Sequence, residues 1–114
     1  MFFPFLDFDV DTFSEDAGNN KIGETPNGWD NTLVIIRMTQ IDVSGNERVR
    51  VYVPGGGSVD NDIHLMDSVG SVFGGDERIR YYPQVLGANK DIRLESINEN
   101  NIEGKIFFLR LPEN

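Results

Sequence analysis

The chain has 114 residues, 39% of them hydrophobic and 25% charged, which is the size and composition of one globular domain with its own apolar core. It contains no cysteine, which excludes disulfides and cysteine-ligated zinc, and its net charge of −9 argues against binding to nucleic acid or to an anionic membrane. Residues 1–30 carry seven acidic residues and one lysine, so much of the negative charge belongs to the N-terminal quarter.

The N-terminal segment begins with apolar and acidic residues in alternation, which predicts a strand with two unlike sides. The acidic side consists of Asp7, Asp9 and Asp11. The apolar and aromatic residues of the segment are Phe2, Phe3, Phe5, Leu6, Phe8, Val10 and Phe13. Because these would aggregate if left in water, we expect the segment to dock on its own domain or on a neighbouring subunit. Residues 14–28 are nearly all polar, glycine or proline and predict a linker, which divides the chain into an arm (1–30) and a single domain (31–114).

The aspartate ladder requires either solvent or matching cations. Same-side residues of a strand lie about 6.6 Å apart, so neighbouring carboxylates repel by roughly 0.6 kcal/mol in water and by more when desolvated. An exposed edge strand tolerates such a ladder. A buried ladder needs cations at the same spacing, which are expected from the pairs Arg48 and Arg50, or Arg78 and Arg80.

The ladder does not match an EF-hand loop. Counted from Asp7, position 6 is Thr12 instead of glycine, and position 12 is Gly18 instead of glutamate. We therefore predict no metal site and no cofactor, with calcium at another type of site kept as an alternative.

Residues 31–114 predict strand after strand. A β-branched run covers 33–43, strict alternation covers 47–53 and 76–82, a short alternation covers 91–94, and an apolar run covers 105–111. No window has a convincing helical period, although residues 66–73 could form one helical turn. The prediction is an all-β fold, a small barrel or sandwich of about six to eight antiparallel strands.

The same segments also align as three units of 29 or 30 residues. The units begin near residues 30, 60 and 89, and their second strands end at Pro54, Pro83 and Pro112. One interpretation is three repeated hairpins. The other is a series of evenly spaced strands that align by accident.

Candidate chemistry is sparse. His64, the only histidine, alternates with apolar neighbours on a predicted strand and is expected on its solvent side, so no catalytic residue and no enzyme activity is predicted. The glycine-rich residues 54–58 lack the lysine and the following helix of a phosphate-binding loop. Trp29, Tyr52 and Tyr82 could form a platform that stacks on a sugar, but closing the end of the core is the favoured role for Trp29.

These features favour a non-enzymatic structural subunit that docks on protein partners through its arm, as a homo-oligomer or in a larger assembly. In general character the chain resembles the short, acidic, cysteine-free β-proteins that decorate or cement bacteriophage shells. That resemblance implies a virion protein of the capsid or tail and carries over no individual residue. The alternative is a monomeric β-module that binds a carbohydrate or calcium.

Overall fold

The computed structural model describes residues 6–42, 48–55, 62–69, 80–81, 83–97 and 100–113. These residues form nine strands and no helix: β1 (Asp7–Glu15), β2 (Gly18–Glu24), β3 (Thr32–Asp42), β4 (Arg48–Val53), β5 (Ile63–Val69), β6 (Arg80–Tyr81), β7 (Gln84–Leu86), β8 (Asp91–Ser96) and β9 (Asn100–Arg110). Eight of the strands have three or more residues and β6 has two, so the predicted all-β fold is confirmed. Among the described residues there is no helix of the length and apolarity that a transmembrane span requires.

The strands form two antiparallel sheets. The first sheet has the order β1-β9-β3-β7 and the second has the order β2-β8-β4-β5-β6. Their inner sides share one apolar core, so the fold is a small β-sandwich. The core residues are Phe13, Ile22, Val34, Ile36, Val49, Val51, Val53, Leu65, Met66, Leu86, Ile92, Leu94, Ile102, Ile106 and Phe108.

The alternation read from the sequence positions the domain strands correctly. In β4, Val49, Val51 and Val53 enter the core, as the period of two requires. In β3, Val34 and Ile36 are buried while Leu33 and Ile35 are half-buried. The apolar core therefore fixes which side of β3 and β4 faces inward, and the opposite sides of these strands differ in chemistry.

The segment before residue 31 belongs to the sandwich wherever it is described. β1 pairs with β9 along nine residues and forms one edge of the first sheet, so the arm docks on its own domain. β2 pairs with β8 and forms an edge of the second sheet. The prediction of a linker over 14–28 is wrong for residues 14–15, which end β1, and for residues 18–24. Backbone pairing with β8 stabilises the second of these strands, which has only one buried apolar residue, Ile22.

The topology also corrects two other expectations. β3 and β4 lie in different sheets, as do β8 and β9, so the first and third aligned units are not hairpins. In the middle unit β5 does pair with β6. The helical turn considered for 66–73 is wrong for residues 66–69, which continue β5, and residues 70–73 lie outside the described part.

A close contact fixes how β1 sits on β9. Phe13 is opposite Gly104, and a Cβ atom added to Gly104 would lie 2.5 Å from Phe13 Cζ and 2.6 Å from the backbone oxygen of Arg37. The Phe13 ring therefore occupies the space that any other residue at position 104 would need. Gly104 is required by this approach of three strands.

We predict that Gly104→Ala lowers the free energy of unfolding by about 1 to 3 kcal/mol, because the added methyl overlaps a buried ring and a backbone oxygen. The matched control is Gly87→Ala, whose Cβ would meet nothing closer than 3.9 Å, and it should change stability by no more than about 0.5 kcal/mol. Urea denaturation of both variants measures the difference. Equal stability of the two variants would contradict the contact.

Candidate interaction surface

The register of β1 decides which of its sides faces the core. Phe13 is buried, and Asp11 lies on the same side, close to the place where a Cβ atom of Gly23 in the opposite sheet would be. By the period of two, Asp7 and Asp9 share this inner side. The apolar side of the strand, with Phe8 and Val10, therefore faces outward.

This result corrects the grouping made from the sequence. From the sequence, Phe13 was grouped with the apolar side of the arm. It lies two residues from Asp11 and therefore on the side of the aspartates, and it is the one buried side chain of β1. Leu6 and Phe8 remain 62% and 54% exposed. Phe2, Phe3 and Phe5 lie outside the described residues.

The outward apolar side chains of β1 continue across the whole first sheet. One row runs Phe8, Leu109, Leu33 and Val85, with one residue from each strand, and a second row runs Val10, Phe107 and Ile35. We call these seven residues and Leu6 the outer face: Leu6, Phe8, Val10, Leu33, Ile35, Val85, Phe107 and Leu109. Val85 is 52% exposed, and the middle residues are half-buried against one another.

The five outer-face residues outside the arm were not singled out from the sequence, yet a signal for them exists. Residues 33–36 and 106–109 are apolar at consecutive positions, so β3 and β9 are apolar on both sides. Strands of this kind occur where both sides of a sheet are covered. In the described part of the chain the second sheet covers one side only.

The free edge of β1 is blocked by its own acids. Asp7 Oδ1 accepts a hydrogen bond from the Phe8 N–H at 2.8 Å, and Asp9 Oδ1 accepts one from the Val10 N–H at 2.9 Å. In an antiparallel edge strand alternate N–H groups point away from the sheet, where another chain could pair with them. The carboxylates occupy these donors and add negative charge, so they oppose strand addition.

Asp11 is the exception in the ladder because it is half-buried. Burial first and the charge of Asp9 second raise the pKa of Asp11 above its ordinary value. The ladder was expected either on an exposed edge or against arginines, and for Asp7 and Asp9 the exposed edge is what the structure has.

Arg50 is not a partner of this ladder. It lies on the outward side of β4 in the second sheet, where Nε donates to Glu95 Oε1 at 2.9 Å and Nη1 donates to Asp62 Oδ2 at 3.1 Å. Its guanidinium also stacks 3.8 Å from the centre of the Tyr52 ring. Burial lowers the pKa of Arg50, but the bonds to the two carboxylates outweigh it and hold the pKa above its ordinary value. Arg78 lies outside the described residues, as do the side chains of Arg48 and Arg80.

The second sheet is therefore polar on its outer side, and most of the polar side chains described there pair with one another. Asn19 Nδ2 donates to the Tyr52 hydroxyl at 2.7 Å, and Arg93 Nε donates to Asn19 Oδ1 at 2.7 Å. Lys21 bridges Glu24 at 2.7 Å and Asp91 at 3.2 Å. His64 stands opposite Tyr52 on β5, and its Nδ1 atom is buried without a hydrogen-bond partner. The two outer sides of the sandwich thus differ completely in chemistry.

The structure does not assemble the proposed sugar platform from its described members. Tyr52 is 6% exposed and lies beneath Arg50, so its ring offers no free face. Trp29 packs against the core, which is the role favoured for it from the sequence. Tyr82 lies outside the described residues.

An open hollow of about 310 Å³ at the link between β1 and β2 is a further candidate for a small ligand. Its polar groups already bond to each other, because Asn20 Nδ2 and the Asn101 N–H donate to Asp16. Within the described ranges no three His, Cys, Asp or Glu side chains are grouped so that they could hold a metal ion.

We predict that Asp11→Asn raises the free energy of unfolding at pH 7. The raised pKa means that the carboxylate form is disfavoured in the folded state, so it destabilises the fold at neutral pH. This cost is relieved as the pH falls through the folded pKa and is gone below the ordinary value of 3.8. Thermal unfolding from pH 7 to pH 3 should show the variant's advantage shrinking with acidity, and Asp7→Asn is the exposed control. An advantage for Asp11→Asn that is independent of pH would contradict this origin.

Asp62 should behave in the opposite sense. The Gly55 N–H first, and the hydrogen bond and charge of Arg50 with it, hold the pKa of Asp62 below 3.8 against the effect of burial. Its stabilising contribution is complete above that value and is lost as the pH falls through the lower folded pKa. We predict that Asp62→Asn lowers stability at pH 7 and flattens the acid limb of the stability curve. Asp91→Asn, which removes only an exposed ion pair, should change the curve little.

Comparison with known proteins assigns no function to either outer side of the sandwich. No family model, no curated protein and no solved structure matches the chain. What the two surfaces can do therefore has to come from their own chemistry.

Proposed function

We propose that this chain is a non-enzymatic structural subunit of a larger protein assembly and that it docks through the outer face. The observation that carries the proposal is the continuous apolar surface across four strands, with Leu6, Phe8 and Val85 more than half exposed. Apolar patches of this kind on a soluble domain mark protein interfaces. The partner is therefore a protein with a complementary apolar surface.

The energetics favour docking by this face. Fully burying a Phe, Leu or Val side chain stabilises by roughly 1.5 to 3 kcal/mol, so covering the exposed halves of three residues contributes about 1 kcal/mol each. The half-buried residues between them add to that sum. No charged side chain of the two apolar rows has to be desolvated, so little of the gain is offset.

The edges of the first sheet direct association to the face. At β1 the carboxylates of Asp7 and Asp9 occupy outward N–H donors, and at the other edge β7 has only three residues. Charged edges and short edge strands both prevent strand addition. A partner consequently finds side chains to pack against and few backbone groups to pair with.

Within this class, a virion protein of the shell or tail is the finer proposal. Its support is the general character of the chain: a short, acidic, cysteine-free sandwich with one apolar outer side and one polar outer side. A shell component needs a side that adheres to neighbours and a side that stays in water. The outer face and the polar outer side of the second sheet have these two properties.

The double variant Phe8→Thr/Val85→Thr tests the docking surface, because it removes exposed apolar groups at both ends of one row and keeps good strand formers. We expect the native assembly of the chain to weaken at least about tenfold in affinity, since about 2 kcal/mol of burial is lost. Unfolding free energy should stay within about 0.5 kcal/mol of the unchanged chain. The readout is the mass of the complex that contains the chain, by native mass spectrometry.

The matched control is Ile97→Thr. Ile97 is 70% exposed but follows β8 in the second sheet, so its replacement should leave the assembly intact. Assembly that survives the double variant would remove the outer face from the proposal. The virion proposal fails separately if density-purified particles from the source of the chain do not contain it in a fixed ratio to their main shell protein.

A further inference from the structure

The charges at the two ends of the outer face are arranged in a regular way. Beyond the two apolar rows, the next outward row contains Lys105 of β9 and Arg37 of β3, and both side chains are exposed. At the opposite end of the same strands stands an exposed acid, Glu113, three residues after the end of β9. Asp30, before β3, is exposed as well, but its position has the parity of the inner side. In the described part of the chain none of these four makes an ion pair.

The spacing of these charges is nearly symmetric about the apolar rows. Lys105 lies four residues before Leu109, about 13 Å along β9. Glu113 lies four residues after Leu109, beyond the end of β9, where the chain still follows β3 through the bonds of Leu111 N–H and Pro112 O to Asn31. Leu33 is paired with Leu109, and on β3 Arg37 lies four residues from Leu33, on the same outward side. Both central strands therefore have a cation at the same end of the apolar rows, and the acid that stands at the other end on the outward side is Glu113, after β9.

A second copy of the chain is the partner that this pattern fits. Suppose that two outer faces pack about a twofold axis that lies in the interface and runs across the strands at the level of Leu109. Each strand then lies over the same strand of the partner subunit and runs in the opposite direction. Lys105 then meets Glu113 of the partner subunit. The apolar rows meet each other in the middle.

The other twofold arrangement is disfavoured. An axis that runs parallel to the strands keeps each level of the sheet over the same level of its copy. Lys105 and Arg37 would then face Lys105 and Arg37 of the partner subunit, and acids would face acids. Like charges brought together at an interface cost affinity, so the crossing axis is selected.

The size of the surface is adequate for such a pair. The four strands span three spacings, about 14 Å, and the levels from Lys105 to Glu113 span eight residues, about 27 Å. With side chains overhanging these borders, the area is of the order of the roughly 600 Å² per partner found at the lower end of specific interfaces.

We propose that the outer face is covered by a second copy of this chain, packed face to face about a twofold axis that crosses the strands. This inference rests on the proposed function and names the partner that the outer face takes. The repeating contact of the assembly is then between copies of the chain.

Charge reversal tests the arrangement. Lys105→Glu places two acids opposite each other at both symmetric contacts, and Glu113→Lys places two cations there, so each single variant should weaken dimerisation about tenfold at low salt. The double variant Lys105→Glu/Glu113→Lys restores opposite charges and should recover the affinity of the unchanged chain. Lys90→Glu, an equal charge change at an exposed site outside the outer face, is the control and should have little effect. Sedimentation equilibrium gives the dissociation constants.

Three results would overturn the inference. The unchanged chain could stay monomeric into the millimolar range, Lys105→Glu/Glu113→Lys could dimerise no better than the weaker single variant, or a dimer could persist in Phe8→Thr/Val85→Thr.

The first result does not decide the proposed function, because a chain that is monomeric alone can still lose its native assembly when the outer face is changed. The proposed function fails when the native assembly survives in Phe8→Thr/Val85→Thr.

Discussion

The packing of Phe13 on Gly104 is the contact on which the orientation of the N-terminal strand depends. A shift of β1 by one residue would bring the aspartates outward and send Phe8 into the core. The Phe13 ring can occupy this place only opposite a residue without a side chain, and Gly104 is the one glycine of β9. Because this contact fixes the register, the acids stand along the sandwich edge and the apolar side chains complete the outer face.

The two sheets differ in how they use their second side. In the second sheet Arg50 joins the carboxylates of Asp62 and Glu95 and stacks on Tyr52, so that most polar groups of this surface, with the exception of His64 Nδ1, already have partners. Such a surface has little to gain from a partner, since any contact must replace bonds that exist. In the first sheet the outward side chains gain free energy by leaving water. The direction of the association that we propose follows from this difference rather than from any single residue.

Much of the fold could be predicted from alternation, and the errors have physical causes. β4 and β8 were visible because each has apolar residues at every second position, and β3 and β9 were visible because each contains a continuous apolar or β-branched run. β2 was missed because its residues are mostly polar and glycine, and a strand held by pairing with β8 needs little apolar side-chain burial. The aligned units were misleading as hairpins because sequence spacing does not tell which sheet a strand joins, and the chain passes between the sheets after β3 and after β8. For the candidate site, the arm was recognised from the sequence. That Leu33, Phe107 and Val85 belong to the same surface could not be predicted, because it depends on which residues of β1, β9, β3 and β7 are paired.

The link between β1 and β2 has a consequence for how copies of this chain can combine. Only Asp16 and Ala17 separate the two strands, so Glu15 and Gly18 can lie at most about 10 Å apart, which is the distance between two packed sheets and no more. An intermolecular exchange of β1 alone is therefore prevented by tether length, since β2 would have to leave the opposite sheet with it. Swapping this segment would open both layers at once, and the subunits are expected to enter an assembly as intact folded bodies.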